Sequence, residues 1–179
     1  MDSWLKFAHL IDAATERIGR SAFWLVLIAA LVSAFNAIYR YVFSDSSNAL
    51  LEIQWYMFGG IFLLCAGYTL KHEGHVRIDV VYGKLSRRAQ TLVDIFGTLV
   101  FLLPMSLLIA WLSWPAFVDA FSKNEISSDA GGLLRWPIRL IIPVGFALLA
   151  LQGIAELIKK MYALATGNYA EPEVTKEII

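Results

Sequence analysis

One uncharged stretch constrains the fold of this chain more than any other feature. Residues 53–70 contain no acidic or basic side chain, and Glu52 stands directly before them. Coiled into an α-helix, this stretch would be about 27 Å long, which is close to the thickness of a bilayer's hydrocarbon core. Hydrophobic residues make up 58% of the chain and are gathered into long runs of this kind. The sequence therefore predicts a membrane-spanning helix with a carboxylate at one end.

Three more apolar runs have the same character, so the predicted fold class is an all-α membrane protein. A domain at residues 21–160 holds four transmembrane helices, and a polar cytoplasmic tail follows at residues 161–179. We expect Asn48 to cap the second helix, Ser86 to cap the third, and Pro104 to kink the third. The predicted spans are residues 21–43, 51–71, 89–114 and 136–158.

The N-terminal segment, residues 1–20, has the pattern of an amphipathic helix. Trp4 and Phe7 begin an apolar stripe with three- and four-residue spacing. We expect this helix to lie in the plane of the membrane interface, and packing on a soluble partner is the alternative. The stripe continues through Ala8, Ile11, Ala14 and Ile18, and the charged residues that avoid it are Lys6, Asp12, Glu16, Arg17 and Arg20.

The basic residues are distributed unevenly between the two predicted sides of the membrane. Four spans put both termini on one side, and eleven of the fifteen lysines and arginines lie on that side. The positive-inside rule therefore predicts that both termini are cytoplasmic. Glu52 and the loop at residues 115–135 would then face outwards. The formal net charge is zero, so nothing indicates a nucleic-acid partner.

The sequence lacks the motifs of an enzyme. It has no P-loop or glycine-rich nucleotide fingerprint, and its serines, cysteine and histidines form no nucleophile arrangement. His72 and His75 are three residues apart, but a metal would need further ligands. His9 also lies at the same predicted boundary, whereas a haem between helices needs histidines on facing helices. We therefore predict no catalytic residue, no metal and no cofactor in this chain.

Two polar residues near the outer boundary are candidates for structural or partner contacts. Arg40 shares a helix face with Ser33 and Asn36, and we expect this face to meet another helix. Glu52 has three open interpretations. It is stabilised by the dipole in the first turn of its helix, it forms an ion pair with Arg40, or it contacts a partner subunit.

Small residues in the second span indicate a close helix contact. Gly60 and Gly67 lie one heptad apart, with Gly59 and Ala66 beside them. Small residues on a membrane helix let another backbone approach closely. We expect this face, or the outer stripe of the first span, to pack on a larger partner. The centres of the spans are apolar, which is typical of a scaffold rather than of a self-sufficient transporter.

Three motifs together resemble a known family. Glu52-x-x-Trp55 opens the second span, and His75-Val76-Arg77-Ile78-Asp79 follows it. Gly132-Leu133-Leu134-Arg135-Trp136-Pro137 precedes the fourth span. This combination, over roughly residues 20–160, resembles the small (Q-type) membrane subunit of tripartite ATP-independent periplasmic (TRAP) transporters.

The resemblance implies a role in transport across the bacterial inner membrane. The expected partners are a large permease subunit, which would hold the sodium and substrate sites, and a periplasmic solute-binding protein. The expected function is scaffolding for sodium-coupled uptake of an organic acid. The alternatives are a self-contained small four-helix exporter and the membrane anchor of a redox enzyme. The candidate interface or structural residues are Arg40, Glu52, Trp55, Gly60, Gly67, His75, Arg77 and Asp79.

Overall fold

The computed structural model describes residues 2–44, 47–72 and 82–169, and these residues are helical except for short connections. A π-helical turn, Thr98–Leu102, joins two of the helices. The α-helices of the described part are α1 (Asp2–Phe43), α2 (Asn48–Leu64), α3 (Ala66–Lys71), α4 (Arg87–Gly97), α5 (Leu103–Ser122) and α6 (Trp136–Thr166).

Four helical stretches of the described chain are long and apolar enough to cross a membrane, as predicted. They are numbered here in chain order, and span 1 coincides with α1 while span 4 coincides with α6. Span 2 combines α2 and α3, and span 3 combines α4, the π-turn and α5. The spans cover Ser3–Phe43, Asn48–Lys71, Arg87–Ser122 and Trp136–Thr166. The predicted all-α membrane fold is therefore confirmed.

Helix α6 is the centre of the bundle. It packs against α1, α2, α3, α4 and α5, whereas span 3 has its main contacts with α6 alone. Gly145 of α6 allows one close approach, because a Cβ built on it would come within 2.7 Å of the Leu63 side chain. Spans 1, 2 and 4 thus pack on one another, and span 3 is attached through α6.

Span 3 changes its helical winding just before Pro104. The π-turn ends at Leu102, and Pro104 lies in the first turn of α5. Proline has no N–H to donate, so a local change of winding accommodates it within a continuous helical span. The hydroxyl of Ser106 donates to the carbonyl of Leu102 at 2.7 Å. The irregularity expected at Pro104 therefore takes the form of a π-turn.

The helix ends differ from the prediction in several places. Ser86 caps α4 as predicted, and its hydroxyl accepts the N–H of Ala89 at 3.3 Å. The N-cap position of α2 is occupied by Ser47 rather than Asn48, and the Ser47 side chain makes no capping hydrogen bond. Helix α5 continues to Ser122, past the predicted end at residue 114, and the predicted tail is helical as far as Thr166.

The N-terminal segment is not a separate helix. Helix α1 runs without a break from Asp2 to Phe43, so the expected boundary at residue 20 does not appear in the backbone. Trp4 and Phe7 are exposed, as the interfacial interpretation requires. Asp12, however, is buried against the bundle. One of the charged residues that avoid the apolar stripe therefore packs into the protein.

Candidate functional site

Three side chains of α2 hold the loop that precedes α6. Asn48, Glu52 and Tyr56 are four residues apart, so they lie on one face of the helix. Asn48 Nδ2 donates to the carbonyl of Ala130 at 3.0 Å, and the Tyr56 hydroxyl donates to the carbonyl of Leu134 at 3.0 Å. We call these three side chains and residues 125–135 the α2–loop clasp.

Glu52 lies at the centre of the α2–loop clasp. Its side chain is buried, and one carboxylate oxygen accepts a hydrogen bond from the hydroxyl of Ser127. The other accepts the backbone N–H of Leu133 at 2.6 Å. Arg135 Nη2 donates to the Ser127 hydroxyl oxygen at 3.1 Å, which brings a positive charge behind the pair. A buried carboxylate is stable only when such donors replace water.

The loop presents these donors because it is folded as a short hairpin. The N–H of Ser127 donates to the carbonyl of Leu133 at 2.9 Å, and Gly132 donates to Asp129 at 2.9 Å. Gly131 has a φ of +72°, a value that favours glycine in the turn. The hairpin is therefore held by its own backbone bonds as well as by Glu52.

A salt bridge joins this hairpin to α6. Arg139 Nη2 lies 2.7 Å from Glu125 Oε1, and Nη1 of the same guanidinium donates to the carbonyl of Ala116 at 3.3 Å. The hairpin is thus tied to α2 on one side and to α6 on the other.

The predicted pair of Arg40 and Glu52 does not form. Among the described residues Arg40 makes no ion pair, and its side chain is exposed. The dipole interpretation is also wrong in its details, because α2 begins at Asn48 and Glu52 falls beyond the first turn. The nearest neighbours of the carboxylate come instead from a loop that the helix pattern does not reveal.

Another residue of the polar stripe on span 1 bonds span 2. The Ser33 hydroxyl donates to Gln54 Oε1 at 2.7 Å, and Asn36 is buried. Ser33 therefore faces another helix, as expected, and the side chain of Asn36 is turned into the protein. Trp55, the tryptophan of the Glu-x-x-Trp motif, is 76% exposed and takes no part in the clasp.

The two glycines of span 2 pack inside the chain. A Cβ on Gly60 would meet Ile141 at 3.8 Å and Leu25 at 3.9 Å, and one on Gly67 would meet Thr15 at 3.4 Å. Span 2 thus presents its small residues to α1 and α6. This corrects the expectation that another subunit packs on that face. The outer stripe of span 1 remains as the predicted partner face.

Three candidate residues lie outside the described part of the structure. His75, Arg77 and Asp79 fall within residues 73–81, so their predicted roles stay predictions.

A second polar cluster lies at the opposite ends of the spans, and sequence reasoning missed it. Gln152 of α6 is fully buried, and its Nε2 donates to Asp12 Oδ1 at 2.7 Å. Its Oε1 accepts a hydrogen bond from the hydroxyl of Thr15 at 2.8 Å. Lys159 Nζ bonds both carboxylate oxygens of Asp12 at 3.1 Å and Glu156 at 2.6 Å. We call these five residues the N-terminal network.

The same part of α1 also holds the end of span 2. Lys71 Nζ lies 2.7 Å from Glu16 Oε2, and His72 Nε2 lies 2.9 Å from the same oxygen. One signal in the sequence could have shown this contact. Ala8, Asp12, Thr15 and Gly19 share one helix face, and its small residues mark it as a packing surface.

Comparison with known proteins gives the family. The model of the DctQ component of tripartite ATP-independent periplasmic transporters matches residues 21–162. A protein of Pseudomonas aeruginosa named C4-dicarboxylate TRAP transporter small permease protein DctQ is 30% identical over 126 residues. That match covers 68% of this chain and 57% of the relative, so it spans less than two thirds of the relative's length. No solved structure gives a significant match.

The chain therefore belongs to the DctQ family of TRAP transporter small permease components. Its four apolar spans agree with a component of a multi-pass inner-membrane transport system. The resemblance noted in the sequence is confirmed.

Proposed function

We propose that this DctQ family member is the scaffold subunit of a sodium-coupled, binding-protein-dependent transporter for an organic acid. In this proposal a large permease subunit holds the sodium and solute sites, and a periplasmic binding protein delivers the solute. The chain itself provides a rigid surface that stays in place while the large subunit moves against it. Both termini are cytoplasmic, which places the α2–loop clasp on the periplasmic side.

The engagement of Glu52 is the observation that best supports a scaffold role. A self-contained exporter needs a membrane carboxylate that exchanges protons and solute during each cycle. Glu52 instead accepts hydrogen bonds from Ser127 and Leu133, with Arg135 behind them. Releasing it would leave the buried Ser127 hydroxyl and the partly buried N–H of Leu133 without this acceptor, which is costly. Its chemistry therefore suits a permanent structural contact.

The named relative suggests which solute to test first. It is called a C4-dicarboxylate transporter component. Carboxylates of this kind are organic acids, so the name agrees with the proposed substrate class. We propose a C4-dicarboxylate as the first solute to test, and the proposed substrate class remains organic acids in general.

Reconstitution tests the proposal directly. Liposomes would contain this chain alone, the large permease alone, or both, with a sodium gradient, the matched binding protein and a radiolabelled C4-dicarboxylate. We expect uptake from the pair only, and its loss when the sodium gradient is removed. Uptake by this chain alone would overturn the scaffold role and favour the exporter. Undiminished uptake by the large subunit alone would also contradict it.

A further inference from the structure

A cavity of about 410 Å³ lies beside the N-terminal network and takes no part in the proposed function. It is formed where the start of α1, the start of α4 and the end of α6 come together. Its volume falls in the range of small-ligand sites. The lining residues that carry the argument are His9, Arg87, Asp94, Lys159, Lys160 and Tyr162.

The fixed charges of the cavity wall are mainly positive. Arg87, Lys159 and Lys160 line it, and Asp94 is the one carboxylate among the described residues that line it. Asp94 is already engaged, since Lys160 forms a salt bridge with it and the Tyr82 hydroxyl donates to it at 2.8 Å. The wall therefore carries an excess of donors over acceptors.

The cations of the wall are held in place by other parts of the protein. Lys159 Nζ is fixed by Asp12 and Glu156, neither of which lines the cavity. Arg87 and Lys160 also have interactions within the protein. A guanidinium has five donors and an ammonium has three, so each can bind an anion in addition to its present partners. Side chains that are already positioned lose less entropy when a ligand binds.

The position of the cavity along the spans favours a phosphate group. Arg87 is the first residue of span 3, and Lys160 lies near the end of span 4. Basic residues at the ends of membrane helices lie at the level of the lipid phosphates, and basic pockets between such helices bind headgroups. The planar guanidinium of Arg87 matches two phosphate oxygens, and the Tyr162 hydroxyl is a further donor.

We propose that this cavity, the α1–α4–α6 pocket, binds a phosphate ester. The source of that group is either the headgroup of an anionic phospholipid or a soluble phosphate ester from the cytoplasm. Either ligand would join the N-terminal part of α1 to spans 3 and 4 through one anion.

The test uses the full-length purified chain, delipidated in mild detergent and examined by native mass spectrometry. The probes are dioleoyl phosphatidylglycerol, dioleoylglycerol with the same acyl chains but no phosphate, and glycerol 3-phosphate. We expect phosphatidylglycerol to be retained and dioleoylglycerol to be lost. Glycerol 3-phosphate binding that equals or exceeds that of the lipid would support the phosphate site and assign it to a soluble ester.

Two variants with opposite expected effects separate binding from misfolding. Arg87→Gln should lower phosphatidylglycerol retention about fivefold, the effect of losing one charge-assisted contact at a partly exposed site. Asp94→Asn should raise retention, because it removes the carboxylate from the wall. Lys123→Gln, a charge removed at the far end of span 3, is the matched control and should change nothing. Thermal unfolding of each variant confirms that it is folded.

Three outcomes would overturn the proposal. One is equal retention of phosphatidylglycerol and dioleoylglycerol. Another is an Arg87→Gln variant that binds like Lys123→Gln. The third is a folded Asp94→Asn variant that loses the lipid to the same extent as Arg87→Gln.

Discussion

The carboxylate of Glu52 accepts the backbone N–H of Leu133, a residue 81 positions further along the chain. The contact joins the start of span 2 to the hairpin that precedes span 4. Asn48 and Tyr56, one turn away on either side, bond the same hairpin. Three contacts on one helix face therefore tie this connection to α2, in addition to the salt bridge that ties it to α6.

We expect Glu52→Gln to destabilise the fold, because a neutral amide is a weaker acceptor than a carboxylate and its NH₂ group would face a donor. The midpoint of thermal unfolding of the purified chain should fall by about 2–4 °C. Arg40→Gln is the matched control, since Arg40 is exposed near the same boundary. It should leave the midpoint unchanged.

Double-mutant cycles identify the basic side chain to which Glu52 is energetically coupled. Glu52→Gln and Arg135→Gln should combine non-additively, because both side chains bond Ser127. Glu52→Gln and Arg40→Gln should be additive. The opposite pattern would restore the ion pair that the sequence suggested and contradict the clasp.

The partner of Glu52 shows where sequence reasoning stops. The spans could be predicted because hydropathy over a span-length window is a local property, and the Ser86 cap could be predicted from three neighbouring residues. The donors to Glu52 come from a hairpin whose register depends on its own backbone bonds. No local pattern links that hairpin to α2. The ion pair with Arg40, one of the three interpretations that the sequence leaves open for Glu52, is therefore wrong.

The glycines of the bundle give a third prediction. A Cβ at Gly145 would lie 2.7 Å from the Leu63 Cβ and 3.0 Å from the Leu63 carbonyl oxygen. Because backbone cannot move aside as a side chain does, Gly145→Ala should cost about 1–3 kcal/mol of stability. Gly97→Ala is the control. Nothing lies within 4 Å of its Cβ position, so it should be neutral or slightly stabilising.

Chemical denaturation of the two glycine variants in the same detergent gives the comparison. Equal stability of Gly145→Ala and Gly97→Ala would show that α2 and α6 are not as close as the structure has them. The sequence indicated a close approach at small residues of span 2. It could not show that the approaching helices belong to the same chain, since small residues serve contacts within and between subunits equally well.

Gln152 gives a fourth prediction. It is fully buried and bonds both Asp12 and Thr15. Gln152→Leu should cost about 1–3 kcal/mol, because it leaves two buried polar groups without that partner. Cleavage by a protease within residues 2–20 should also become faster, since this side chain helps to hold the start of α1. Leu151→Met, at a 43% exposed neighbouring position, is the control and should change neither measurement.

The N-terminal network was missed for a physical reason. The sequence shows only that Asp12 avoids the apolar stripe, and charged residues on an amphipathic helix usually face water. A carboxylate can face a bundle when a fixed cation and an amide compensate its lost hydration, as Lys159 and Gln152 do here. Those two residues come from span 4, 140 and 147 positions away. A cleavage rate unchanged by Gln152→Leu would contradict this account.

The orientation of the chain gives the last prediction, which rests on the excess of lysine and arginine in the termini and the loop between spans 2 and 3. Single cysteines at Ser128 and Lys84, both exposed, probe the two sides in a Cys65→Ala background. Ser127 is unsuitable because it is buried against Glu52. An impermeant maleimide added to intact cells with a permeabilised outer membrane should label position 128 and spare position 84. Both positions should react once the inner membrane is opened, and labelling of position 84 alone in intact cells would reverse the proposed topology.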